Sequence, residues 1–213
     1  MIPEHVPAPA ATPVSPVSTE AAVASAAPRR APGLRSRAGN AMDRTRAAVL
    51  DGAARAVEKH GARRATMGDI AVLAGIAKGT LYNHFRTKDS VYAAAIEAGV
   101  RGLAEECSLT ARDDLADALA LAAERIGGHP ALRRLATDEP VALAALVTPD
   151  GGPTWQLARA GVRSILGAAG RVSDPASVEV VLRWMVSFVA HPGVEVARQA
   201  ELVAAAIPSA QGT

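Results

Sequence analysis

The sequence predicts an all-α protein: an N-terminal three-helix helix-turn-helix unit followed by a larger C-terminal helical domain. Three observations predict it. Apolar residues recur at helical spacing in each patterned segment, and no stretch alternates with period two. Glycines and prolines punctuate the segments, at Gly61, Gly75, Gly127-Gly128-His129-Pro130 and Pro149-Asp150-Gly151-Gly152-Pro153. Hydroxyl or acidic residues stand where helices should begin, at Thr66, Thr87 and Asp174.

Residues 1–40 are rich in Pro, Ala, Ser and Val with little periodicity, so they read as a disordered tail. Its end carries Arg29, Arg30, Arg35 and Arg37, a basic arm for a DNA groove or a solubilising linker. A first helix is expected over 43–60. Val49, Leu50, Ala53, Ala54 and Val57 line one face, Arg44, Arg46, Arg55 and Lys59 fall mostly on the others, and Gly61 closes it.

Residues 66–88 are the most informative stretch. Thr66 with Asp69 three residues on approximates a capping box. Ile70, Ala71 and Ala74 share a face, Gly75 suits a left-handed helix end, and Ile76 plugs the angle to the next helix. That helix spans 77–85, with Ala77, Leu81 and Phe85 as its expected buried stripe. Gly79 and Asn83 point away from the stripe, Thr80 and Tyr82 flank them, and Lys78 and His84 sit nearer the edges. Two short helices and a tight turn, with the second presenting a polar face, are the layout that places a helix in the major groove. Lys78 suits guanine O6/N7 and Asn83 suits adenine N6/N7. Thr80, Tyr82 and His84 reach phosphates or a thymine methyl. Gly79 permits close backbone approach. Thr87 caps the following helix with Ser90 in register, and Lys88 adds a positive charge beside its free N–H groups.

A connecting helix over 89–106 carries Val91, Tyr92, Ala95, Ile96, Gly99, Val100 and Leu103 at helical spacing. Further helices are expected over 113–126, 131–136, 139–147, 154–170, from Pro175 to before Pro192, and 194–207. Leu182, Met185, Val186 and Val189, with Val196, Leu202, Val203 and Ile207, are candidates for a dimer surface or for the monomer core. Trp155, Trp184, Met185 and Phe188 are the bulkiest candidates to line a ligand pocket, with plain core packing as the alternative for each.

Net charge is +2, unevenly spread: −2 over residues 1–28, +7 over 29–100 and −3 over 101–213. Positive charge thus gathers where the motif lies, as phosphate binding requires. Aromatics are only 3% of the chain, so the core must pack through Ala, Leu, Val and Ile. No apolar run reaches the ~20 residues that cross a bilayer. The N-terminus lacks a basic start followed by an apolar core, so no secretory signal is expected. A single cysteine, Cys107, forms no internal disulfide, and either a small buried residue or a redox sensor fits it. A cytoplasmic protein follows from these readings. The five histidines show no metal-ligand spacing, and no nucleophile or phosphate-cradling loop stands out, so neither an enzyme, a metal site nor a cofactor is expected.

The stretch from Arg44 to Val100 resembles the DNA-binding domain of the TetR family of transcriptional regulators. The resemblance rests on Arg46-Ala47-Ala48-Val49-Leu50, Ala53-Ala54, Gly61, Thr66, Asp69-Ile70-Ala71, Ala74-Gly75-Ile76, Lys78-Gly79-Thr80-Leu81-Tyr82, His84-Phe85 and Lys88-Asp89 in one register. It implies an all-helical homodimer with a C-terminal ligand-binding and dimerisation domain. It places Lys78, Thr80 and His84 at bases or nearby phosphates, and Thr66, Tyr82 and Lys88 on the sugar-phosphate backbone. Asn83 falls where members of the family vary. The expected organisation is a tail over 1–40, the DNA-binding domain over 41–88, the connecting helix over 89–106 and the regulatory domain over 107–213. The expected function is a ligand-responsive regulator, a repressor, that binds palindromic double-stranded DNA as a homodimer. Few charges interrupt the apolar faces of the C-terminal half, so an apolar or amphipathic effector suits it. A DNA-binding protein without an effector is the alternative.

Overall fold

The computed structural model describes residues 33–148, 152–190 and 193–210. Those residues form α1 (Gly33–His60), α2 (Met67–Leu73), α3 (Lys78–His84), α4 (Lys88–Thr110), α5 (Leu115–Gly127), α6 (Pro130–Asp138), α7 (Pro140–Val147), α8 (Pro153–Ala168), α9 (Pro175–Ala190) and α10 (Val196–Ala206). The expected all-α class holds. The only extended pairing among the described residues is an isolated bridge between Arg171 and Ser209.

The connecting helix runs on to Thr110, other ends shift by one or two residues, and the largest difference is at α1. α1 begins at Gly33, so residues 33–40, expected in the tail, are helical. The last proline of the Pro/Ala-rich stretch is Pro32, and beyond it no residue lacks the N–H a helix needs. The tail over 1–32, including Arg29 and Arg30, lies outside the described residues, as do the side chains of Arg35 and Arg37. So do the loop residues 149–151 and His5, His191 and Pro192.

Helix starts follow the expected chemistry. Thr66 and Thr87 each close a reciprocal capping box, with Asp69 and Ser90. Asp114 caps α5 by accepting from the Asp117 N–H. Asp174 accepts from the N–H groups of Ala176 and Ser177 at the start of α9. These bonds hold the Asp174 carboxyl below the usual carboxylate range, the Ser177 hydroxyl first among them.

Two cores form. The smaller packs Val49, Ala53, Ala56, Ile70, Ala71, Leu81, Phe85 and Val91 among α1–α4. The larger packs Cys107 and residues of α5, α8, α9 and α10. Small residues bring the helices close. A Cβ on Gly52 of α1 would lie 2.7 Å from the Ala74 backbone nitrogen at the end of α2. At the C-terminus, Arg171 donates to the carbonyls of Ile207 (2.8 Å) and Ala204 (3.4 Å), placing its charge on the negative end of α10.

Of the two roles open to the apolar face of α9 and α10, dimer surface or monomer core, the burial of its main residues fits the core. Leu182, Met185 and Ile207 are 3–5% exposed and belong to the larger core. α9 lies against both α5 and α8, so its apolar stripe is consumed within the monomer. Of the residues considered for that surface, Leu202 is exposed, and Val180 of α9 joins it outside.

Gly52→Ala is expected to lower stability by about 1–3 kcal/mol through overpacking against α2, although alanine is the better helix former. Urea denaturation measures this; an unchanged or raised midpoint would show that α1 and α2 separate without cost.

Candidate functional site

Two features stand out, the exposed face of α3 and a large cavity behind it. The face is built from the turn outward. Gly75 adopts φ 68°, a left-handed conformation that glycine takes without a Cβ clash. The Ile76 N–H then reaches the Ala71 carbonyl (3.0 Å) and the Gly75 N–H reaches that of Val72 (3.1 Å). These two bonds form a Schellman closure of α2 and aim the chain into α3. Leu81 and Phe85 anchor α3 in the smaller core, with the Arg46 guanidinium 5.0 Å from the Phe85 ring centre. Ala77, expected in the buried stripe, is exposed because it is the extended N-cap of α3.

Lys78, Gly79, Tyr82 and Asn83 are exposed together on the outer side of α3, and Thr80 and His84 are half-buried at its edges. A Cβ on Gly79 would meet nothing within 4 Å, so the protein's own packing does not require glycine there. Arg86, which sequence reasoning left aside, is exposed just after this helix.

Thr66 is exposed, but its hydroxyl already serves Asp69: it donates to Oδ2 (2.7 Å) and accepts from the Asp69 N–H (3.2 Å). The Thr66 hydroxyl and amide hold the Asp69 carboxyl below its usual range. The stabilisation this box contributes is therefore complete at neutral pH and is lost as pH falls through that lowered value.

Lys88 needs a correction. Its ammonium does not face outward but donates to the carbonyls of Ala62 (2.8 Å), Arg63 (3.0 Å) and Ala65 (3.0 Å). An ammonium has three N–H groups, and all three are engaged here, leaving none for a phosphate. Lys88 is a positioning residue that ties the α1–α2 turn to the start of α4. The Tyr92 hydroxyl adds a bond to the Ala62 carbonyl (3.3 Å), and burial pushes its pKa up to about 12.

The same turn is gripped from the other side by Glu139, which no sequence signal suggested. Its carboxylate accepts from the Arg63 N–H (3.1 and 3.2 Å). It packs against Gly61, whose φ of 78° and missing side chain leave room for it. Glu139 is at once the C-cap of α6 and the N-cap of α7. A junction of the C-terminal helices is thus hydrogen-bonded to the DNA-facing unit.

The cavity has a volume of about 780 Å³. Trp155 and Met185 line it, as expected. Trp184 and Phe188 do not. They stack edge to face, 4.9 Å between ring centres, and the Trp184 indole donates to Gln199 of α10 (3.2 Å). The Trp184 bond to α10 and the Phe188 ring stacked on it stand apart from the cavity lining. The cavity also reaches further than the 103–190 region: Leu50 and Val57 of α1 and Tyr92, Ile96 and Val100 of α4 form part of its wall. The apolar stripe of α4 is only half-buried because it faces this space. Cys107 lies in the larger core, fully buried, and burial raises its thiol pKa to about 11, so it is protonated and inert at neutral pH.

Comparison with known proteins bears on the N-terminal unit. Residues 49–95 match the family of bacterial regulatory proteins, tetR family. That segment is similar to the DNA-binding domain of TetR-family regulators. Over 54 residues it is 41% identical to the HTH-type transcriptional regulator TtgR of Pseudomonas putida, and equally to the probable regulator ArpR of the same species. Each match covers 25% of this chain and 26% of the relative, so it spans about a quarter of the curated relatives' length. The whole fold is similar to the fatty acid degradation regulator FadR from Bacillus halodurans, with TM-score 0.54 and 12% identity, over 76% of this chain and 93% of that one. It is also similar to the TetR family repressor AlkX from a Dietzia species, with TM-score 0.52 and 22% identity, over 73% and 92% of the two chains. The similarity of fold therefore extends through the C-terminal helices.

Two substitutions test these roles. Gly79→Ala should leave the fold as stable or about 0.5 kcal/mol more stable, yet weaken DNA binding, because the added methyl stands where a groove must approach. Equal DNA affinity of the two proteins in fluorescence anisotropy would remove Gly79 from the interface. Lys88→Met should lower stability by about 1.5–3 kcal/mol while the salt dependence of DNA affinity stays unchanged. A salt slope reduced by about one would instead make Lys88 a phosphate contact.

Proposed function

We propose that this protein is a TetR-family transcriptional regulator, a repressor, that binds palindromic operator DNA as a homodimer and releases it when an apolar effector enters the cavity. The observation that carries this reading is the position of the cavity. Its wall is shared by α1 and α4, which carry the DNA-binding unit, and by helices of the C-terminal half. An occupant that favours one arrangement of these walls biases the recognition helix. To release DNA it must bind the released arrangement more tightly than the DNA-bound one.

The reading assigns Lys78, Thr80, Asn83 and His84 to bases or adjacent phosphates, with Gly79 giving close approach. Tyr82 holds the sugar-phosphate backbone, while Thr66, whose hydroxyl and amide both donate to Asp69, has no donor left for a phosphate and serves to position α2. Glu139 gives the effector a route to the DNA: α6 and α7 supply part of the cavity wall, and their junction is bonded to the turn that precedes α2. One α3 reads only a few base pairs. Two copies about 34 Å apart read a palindrome, which is the functional reason for a dimer. The outer faces of α9 and α10, with Val180 and Leu202 exposed, are apolar surface suited to that pairing. No described helix is long and apolar enough to cross a membrane, in keeping with a regulator acting on cytoplasmic DNA.

Selection from a random duplex pool with the full chain is expected to enrich an inverted repeat. Lys78→Ala should then relax preference at one position of each half-site by about 1–3 kcal/mol. Enrichment of no sequence above non-specific binding at physiological salt would defeat the proposal.

A further inference from the structure

We infer that the cavity takes an uncharged, largely aliphatic ligand with one hydrogen-bond acceptor, and that the indole N–H of Trp155 receives this acceptor. The inference rests on the effector reading above for the ligand's purpose, but not for its chemistry.

Trp155 lies near the start of α8, is 5% exposed and lines the cavity. Its Nε1 is buried and has no hydrogen-bond partner among the described residues. An indole nitrogen is donor only, and a buried tryptophan normally finds an acceptor for it. The other indole shows the normal case, since Trp184 donates to Gln199. Trp155 is also fixed in place: the Arg159 guanidinium stands 5.6 Å from its ring centre, and Arg159 is itself paired with Glu179 (3.4 Å). The N–H, unmet among the described residues, is therefore a donor on a residue of a largely apolar wall, and an acceptor carried by a molecule in the cavity would complete it.

The charged lining excludes the main alternative, an anionic ligand. Glu106 and Arg125 of the wall pair with each other at 2.6 Å, and His129, which also lines it, is exposed. The Tyr92 hydroxyl is turned to the Ala62 carbonyl. Among the described residues no buried, unpaired cation lines the cavity to receive a carboxylate or phosphate, and burying such a group unpaired is far more costly than burying a carbonyl bonded to an indole. The volume of about 780 Å³ lies within the range of small-molecule sites. Alkyl surface suits the aliphatic walls from Leu50, Val57, Ile96, Leu135 and Val186. A ketone, ester, lactone or ether on an alkyl chain satisfies both requirements.

The test uses the full chain and three probes of one length: methyl octyl ketone, decane and decanoate. Each displaces the neutral dye phenylnaphthylamine, and the displacement is read by fluorescence. The ketone is expected to bind at least tenfold more tightly than either of the others. Trp155→Phe should abolish its advantage over decane while leaving decane binding unchanged. Should that variant fail to fold, the unaltered protein decides. In nitrogen-15 spectra the Trp155 indole proton should move downfield with the ketone and not with decane, with the Trp184 resonance, assigned through Trp184→Phe, unmoved. Equal binding of ketone and decane, tightest binding of decanoate, or binding of none of the three would overturn the inference. Release of the selected operator is scored separately. Ketone binding through Trp155 that leaves DNA bound upholds this ligand chemistry and overturns the effector role proposed above.

Discussion

The turn between α1 and α2 is where the molecule is held together functionally. A few residues there have no helix to bond within, and their backbone groups would otherwise face water. Lys88 takes three of the carbonyls, and Glu139 takes the Arg63 N–H. One partner comes from the start of α4 and the other from the α6–α7 junction. A charged donor and a charged acceptor thus fix the same short segment from opposite units. Hydrogen bonds to charged groups are stronger than neutral ones, and a segment lacking its own ladder is the easiest to move. The orientation of α2 and α3 follows from that turn, because Thr66 begins α2 directly after it.

The second constraint is composition. An alanine-rich chain with few aromatics brings helices close where small residues meet, as Gly52 meets Ala74. The same economy leaves space where longer helices diverge. The cavity forms at such a place, between the half-buried stripe of α4 and the inner faces of α6–α9. Its walls are apolar because they are the ordinary inward faces of amphipathic helices. Against those walls stands the indole N–H of Trp155, buried and without a partner among the described residues.

Much of the architecture is legible locally. Capping boxes at Thr66 and Thr87, the Gly75 turn and the Asp174–Pro175 start are short-range chemistry, and each lies where its residues place it. The polar face of α3 is legible for the same reason, since rotation along a short helix needs no knowledge of neighbours. The start of α1 is not, because a weakly patterned stretch without proline carries no marker for where a helix begins. Ala77 escapes a local reading because i, i+4 spacing does not distinguish a first helical residue from its cap.

The sequence by itself determined the helices, their order, the helix-turn-helix layout and the outward residues of α3, because these depend on neighbours within a few positions. Only the tertiary structure decided that Lys88 is spent internally, that Glu139 reaches a residue 76 positions away, and that Trp155 lines the cavity while Trp184 does not. Those facts depend on which helix faces meet across space. Helical periodicity states that a face will be buried, and it does not state against what.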